Sequence, residues 1–152
     1  MPIVSNSSPL IALEQIEKLD LLNELFGEIL VPDAVATEIA PTVRSRSWIQ
    51  QQPLSGTLLP NTLRPALGPG ERAAISLAAE VNASTIILDD EPARKIAAQL
   101  KIPIIGTAGV LLLAKDRKLI AAVKPCLDAL IEHRFFLARA VYELILNRTG
   151  EL

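Results

Sequence analysis

The sequence predicts an α/β domain in which helices cover both sides of a central, mainly parallel sheet. Three observations carry that reading. Short aliphatic and β-branched runs recur at Ile3-Val4-Ser5, Glu28-Ile29-Leu30-Val31, Thr85-Ile86-Ile87-Leu88 and Ile102-Pro103-Ile104-Ile105, each the length of a strand buried on both faces. Between and after them lie longer segments with apolar residues at helical spacing. The runs give way to polar or turn-forming residues, which puts Asn6 and the pair Asp89-Asp90 at the carboxyl ends of strands. With 152 residues, 50% of them hydrophobic, the chain is long enough for one domain over 1–152 with a real core.

The first strand, Ile3 to Asn6, leads into a helix whose start is marked by Ser7-Ser8-Pro9, with Ser8 as N-cap and Pro9 in the first turn. Helical periodicity continues through Leu10-Ile11-Ala12-Leu13 and Leu19 to Phe26, and Gly27 supplies the terminal left-handed residue. After the second strand, Pro32-Asp33 opens a helix over Ala34 to Ala40, stopped by Pro41. Glu38 lies three residues after Val35 and beside Ile39, so it borders the apolar stripe, as a rim residue or as a site residue.

Residues 42–67 carry Arg44, Arg46, Trp48, three consecutive glutamines and Pro53, Pro60 and Pro65, which predict a short helix and an irregular excursion. Arg44, Arg46 and Trp48 could meet nucleic acid by phosphate contact and stacking, or Trp48 could anchor the helix. Gly68-Pro69-Gly70 then breaks the chain before a small-residue helix over Glu71 to Glu80, able to approach a sheet closely. Glu71 in its first turn suits the helix dipole and equally lies at the Asp89 edge.

Next comes the Thr85 strand and its helix from Pro92 to Leu100, for which Asp90 is a candidate N-cap. The fourth run leads into Gly106-Thr107-Ala108-Gly109, where glycines either let backbone amides face a phosphate or let the helix pack tightly. Helices at about 123–133 and 138–148 complete the series.

The totals exclude several classes. No apolar run reaches the roughly 18 residues of a membrane span, and no leader pattern opens the chain, so a cytoplasmic protein is expected. One cysteine, Cys126, rules out an internal disulfide, and with one histidine, His133, there is no Cys/His set for zinc. A net charge of −2 argues against a strongly basic nucleic-acid binder, but the charges are unevenly spread. Residues 1–40 hold seven acids and one base, whereas residues 91–118 hold six bases, among them Arg94 and Lys95, against two acids. Such a basic region could hold a phosphate backbone beside an acidic cluster, or be a solvated helix face.

Open α/β sheets bind ligands beyond the carboxyl ends of their strands. There the sequence gathers Asn6, Glu71, Asp89 and Asp90, with Glu38 leaning in. Adjacent acids repel, and a divalent cation is the simplest group to offset them. Carboxylates without histidine or cysteine favour Mg2+ or Mn2+ over zinc, a site suited to phosphodiester hydrolysis.

Four motifs taken together, Ile3-Val4-Ser5-Asn6-Ser7-Ser8-Pro9-Leu10-Ile11, Gly70-Glu71-Arg72-Ala73-Ala74-Ile75, Leu88-Asp89-Asp90-Glu91-Pro92-Ala93-Arg94 and Ile105 to Lys115, resemble PIN-domain proteins, in a branch related to the VapC toxin ribonucleases. The resemblance spans nearly the whole chain. It implies a three-layer α/β/α fold, a Mg2+ or Mn2+ site, single-stranded RNA as substrate, a small antitoxin partner and frequent dimerisation. The half-apolar composition leaves room for an exposed patch, and helices near residues 10–26 are the candidate dimer face. It places Asn6 where the family's first aspartate stands, Glu38 at its helical glutamate, Glu71 at its third acid, and Asp89 or Asp90 at its fourth. An amide carbonyl can coordinate a metal but brings no charge, so Asn6 lowers the expected affinity.

The expected activity is therefore metal-dependent RNA cleavage, with Glu38, Glu71 and Asp89 or Asp90 holding the ion, Asn6 completing its shell, and Arg94 and Lys95 placing the RNA backbone. The competing expectation is a catalytically weakened module of the same fold that binds RNA or a protein. A phosphate-accepting signalling domain is disfavoured, because the acid pair follows a late strand and the first strand offers only Asn6.

Overall fold

The computed structural model describes residues 1–56 and 67–152. Its strands are β1 (Ile3–Ser5), β2 (Ile29–Val31), β3 (Ile49–Gln51), β4 (Thr85–Ile87) and β5 (Ile104–Ile105). They form one parallel sheet in the order β3-β2-β1-β4-β5, with Val4 opposite Leu30 on one side and Ile86 on the other. The strands are short, and β2 and β4 carry continuous apolar runs because both faces are covered. Val4, Ile86, Ile87 and Leu88 have no solvent exposure.

The helices are α1 (Ser7–Gln15), α2 (Leu21–Phe26), α3 (Asp33–Ala36), α4 (Pro41–Arg44), α5 (Pro69–Glu80), α6 (Glu91–Gln99), α7 (Thr107–Asp116), α8 (Lys124–Glu132) and α9 (Arg139–Thr149). Helix α5 packs directly on β1 and β4 and alongside α6. It can come that close because Ala74 and Ala78 contribute only methyl groups to the core, both of them fully buried. On the other face α1 and α2 meet α7, and α1 also meets α8. Each fully buried Leu or Ile in these layers contributes about 1.5–3 kcal/mol relative to exposure.

Several elements differ from the sequence expectation. The periodic stretch from Leu10 to Phe26 is two helices, because Glu17 adopts a left-handed φ of 59° between them. The first helix begins at Ser7, so Asn6 rather than Ser8 holds the N-cap position. Gly27 does take the positive φ expected of it, 76°, at the end of α2. The helix expected over Ala34 to Ala40 ends at Ala36, since the residue before Pro41 is forced out of the helical region and Ala40 lies at ψ 153°. Residues 42–67 contain a strand, β3, at the sheet edge. Pro60 and Pro65, in the irregular excursion expected there, lie outside the described residues.

Arg44, Arg46 and Trp48 act in the scaffold. Arg44 donates to the Ala36 carbonyl, Arg46 pairs with Glu14 and Asp20, and half-buried Trp48 packs on the core while its carbonyl accepts from Ile29. Cys126 is buried and His133 is exposed at the end of α8. Among the described residues no helix is long and apolar enough to cross a membrane.

Glu151 ties the last residues to α7 and α8. Its carboxylate accepts from Lys115 Nζ at 2.7 Å and from the amides of Val123 at 3.0 Å and Lys124 at 2.8 Å. Burial works to raise the pKa of this group, but the Lys115 ammonium and the two amides outweigh it and hold the carboxyl at about 2 rather than 4.5. A folded-state pKa depressed in this way gives stability that is complete above the unfolded value and is lost as pH falls through the folded one. Glu151→Gln should therefore lower unfolding stability by roughly 2 kcal/mol at pH 7. The deficit should shrink between about pH 4.5 and 2, which thermal melts at several pH values will show. A constant deficit down to pH 2 would mean that the carboxylate's charge is not what stabilises this corner.

Candidate metal and nucleic-acid site at the sheet edge

The strand order reverses direction between β1 and β4, and the crevice beyond their carboxyl ends is where such sheets accept ligands. Asn6 follows β1 directly and its amide donates to the Ile87 carbonyl at 3.1 Å, which fixes it against the end of β4. Its side chain is 1% exposed, and Oδ1 is buried with no hydrogen-bond partner. A buried acceptor left unpaired costs about 1–3 kcal/mol and calls for an explanation.

Ser7, the next residue, donates from Oγ to Glu38 Oε1 at 3.0 Å. Glu38 stands just past α3, where its amide bonds to Val35 and turns the chain back toward β1. The same carboxylate lies over Gly70, the second residue of α5, and a Cβ there would overlap Glu38 Oε1. Glu71 follows immediately, and its Oε1 accepts from the Gly68 amide at 2.7 Å, closing the N-terminus of α5. Ser7, Glu38 and the start of α5 are thus in contact, and Asn6 directly precedes Ser7.

The aspartates after β4 are engaged differently. Asp90 is the N-cap of α6, with Oδ2 accepting from the Ala93 amide at 3.0 Å. Half-buried Asp89 receives the Thr107 amide at 2.8 Å on Oδ1 and the Thr107 hydroxyl at 2.6 Å on Oδ2, so it closes the start of α7 from a neighbouring strand. Each charge is offset by the positive end of a helix, so the pair does not by itself demand a cation. The Gly106-Thr107 turn presents its amide to this carboxylate, while Gly109 makes room for tight packing, since a Cβ there would come within 2.9 Å of Ile105 Cγ1. Arg94 is half-buried with Nη1 3.4 Å from the Leu88 carbonyl, and Lys95 is exposed.

Ser7 and Thr107 were not among the metal-site residues expected from the sequence. Both are buried hydroxyls that orient a carboxylate from another element, and only the strand order brings those partners together. Among the described residues no three His, Cys, Asp or Glu side chains gather closely enough to form a ligand cage. The donors at the Asn6–Glu38 patch are all oxygen, which fits Mg2+ or Mn2+. Mg2+ is commonly held by one or two carboxylates with water and substrate phosphate filling its shell.

A family model described as DUF3368, a PIN domain, matches residues 2–151. Among solved structures, a PilT N-terminus domain protein from the hyperthermophilic archaeon Sulfolobus solfataricus P2 is similar at a TM-score of 0.52 and 18% identity, over 72% of this chain and 90% of that one. At that identity the likeness speaks for the fold alone. A search of curated proteins finds no match.

Proposed function

The chain belongs to the PIN-domain family, a generally nuclease-type group, and on that premise we propose that it is a Mg2+- or Mn2+-dependent endoribonuclease of toxin type that cuts single-stranded RNA. The observation that supports this best is the buried, unpartnered Oδ1 of Asn6, next in the chain to the Ser7 hydroxyl that holds Glu38, at the point where the strand order reverses. Glu38 and the Asn6 carbonyl would hold the ion, with Glu71, Asp89 and Asp90 supplying negative charge around it. When bound, the ion would neutralise charge at the scissile phosphate.

The protein's own contribution is orientation. Ser7 fixes one oxygen of Glu38, Gly70 leaves room for it, and Thr107 fixes both oxygens of Asp89. Arg94 and Lys95, close after the aspartates, would place the RNA backbone. A small antitoxin and a second copy of the chain, through the helices near residues 10–26, belong to the same reading as partners.

A catalytically weakened binding module is the second reading. The neutral Asn6 and the lack of a three-acid cage among the described residues favour it. One experiment separates the two. Single-stranded RNA incubated with the full chain should be cut with Mg2+ or Mn2+ and left intact with a chelator. Retained RNA binding without cleavage in either ion would overturn the nuclease reading and leave the module.

A further inference from the structure

A groove of about 410 Å3 runs from Asp89 and Arg94, past Gly106, to Phe135, Phe136 and Leu137 in the segment joining α8 to α9. Phe136 is 86% exposed, in a chain with only three phenylalanines. Its neighbour Phe135 is half-buried against the core, and the Phe135 amide bonds to the Leu130 carbonyl at 2.9 Å, so the loop that carries the exposed ring is anchored. An aromatic ring held in water by a fixed loop is a large apolar surface offered to something planar or apolar.

The charge nearby narrows the choice. Residues 133–142 contain Arg134 and Arg139, of which Arg139 is paired with Glu143 at 3.1 Å, and Arg94 lines the same groove as Phe136. An apolar protein helix would match only the phenylalanines. A polyanion with planar bases matches both features, by stacking on the ring and by phosphate contact with Arg134 and Arg94.

We infer that Phe136, next in sequence but one to Arg134 and lining the same groove as Arg94, is a base-stacking subsite for a single strand of nucleic acid whose backbone continues to the Asp89 edge. The inference rests on the nuclease reading only in taking RNA as the ligand, and it places the strand on the β5 side of the sheet.

The test is the affinity of the full chain for a labelled oligouridine, followed by fluorescence anisotropy in EDTA so that cleavage plays no part. Phe136→Ala should weaken binding about tenfold or more, Phe136→Trp should preserve it, and Phe136→Leu should resemble alanine because it keeps apolarity but not the π-face. The exposed ring makes little contact with the fold, so melting temperatures should be unchanged and serve as the control. Wild-type affinity in Phe136→Ala overturns the subsite while leaving the nuclease reading intact. So does a Phe136→Ala change confined to self-association, which would make the patch a protein interface. Loss of binding in Phe136→Ala from a chain that never cuts RNA supports the subsite and rejects the nuclease.

Discussion

Gly70→Ala is expected to lower RNA cleavage by about a hundredfold without lowering thermal stability. Gly70 is the second residue of α5, a position where alanine is the better helix former by roughly 0.5–1 kcal/mol. The atoms nearest the added methyl group are the far end of the Glu38 side chain, which can swing aside at little energetic cost. What suffers is the carboxylate's position and its bond to Ser7, and a displacement of about 1 Å at a reacting centre can remove two orders of magnitude in rate. Cleavage and melting temperature measured together decide the matter, with Glu38→Gln as the reference for complete loss. Undiminished cleavage in Gly70→Ala would show that the position of Glu38 is irrelevant to the reaction.

Asn6→Asp should act in opposite directions with and without metal. In the metal-free protein it places a carboxylate at a site 1% exposed, and a buried charge without a partner costs about 3 kcal/mol. For a chain of this length that corresponds to a melting temperature lower by roughly 6–12 °C. Added Mn2+ should recover most of the loss, and the shift it produces should exceed that in the wild type, because the ion gains a charged ligand in place of a neutral carbonyl. Equal Mn2+ shifts in the two proteins would place the ion away from Asn6.

The architecture was legible where burial dictated the sequence. Ile86, Ile87 and Leu88 have no exposure, and only an uninterrupted apolar run can occupy such a strand. Strand β3 escaped notice for the converse reason: at the sheet edge only Ile49 is buried, and Gln50 and Gln51 read as loop. The break between α1 and α2 has no glycine or proline to announce it, since Glu17 adopts the left-handed conformation unaided.

The site divides the same way. Asn6, Glu38, Glu71, Asp89 and Asp90 could be named because acids and amides at strand ends and helix starts stand out. What each does there depends on partners distant in sequence: Ser7 lies 31 residues from Glu38, and Thr107 lies 18 from Asp89. Local pattern cannot report such pairings.

The Asp89–Thr107 bond has a bearing on how this chain can change over generations. The two residues hold each other through two hydrogen bonds, so neither can drift alone: losing the hydroxyl frees the carboxylate to turn, and losing the carboxylate leaves the first amide of α7 without its acceptor. Lineages that exchange one member should exchange the other with it, and the loop around Gly106, remote from Asn6 along the chain, should be inherited as part of the same unit.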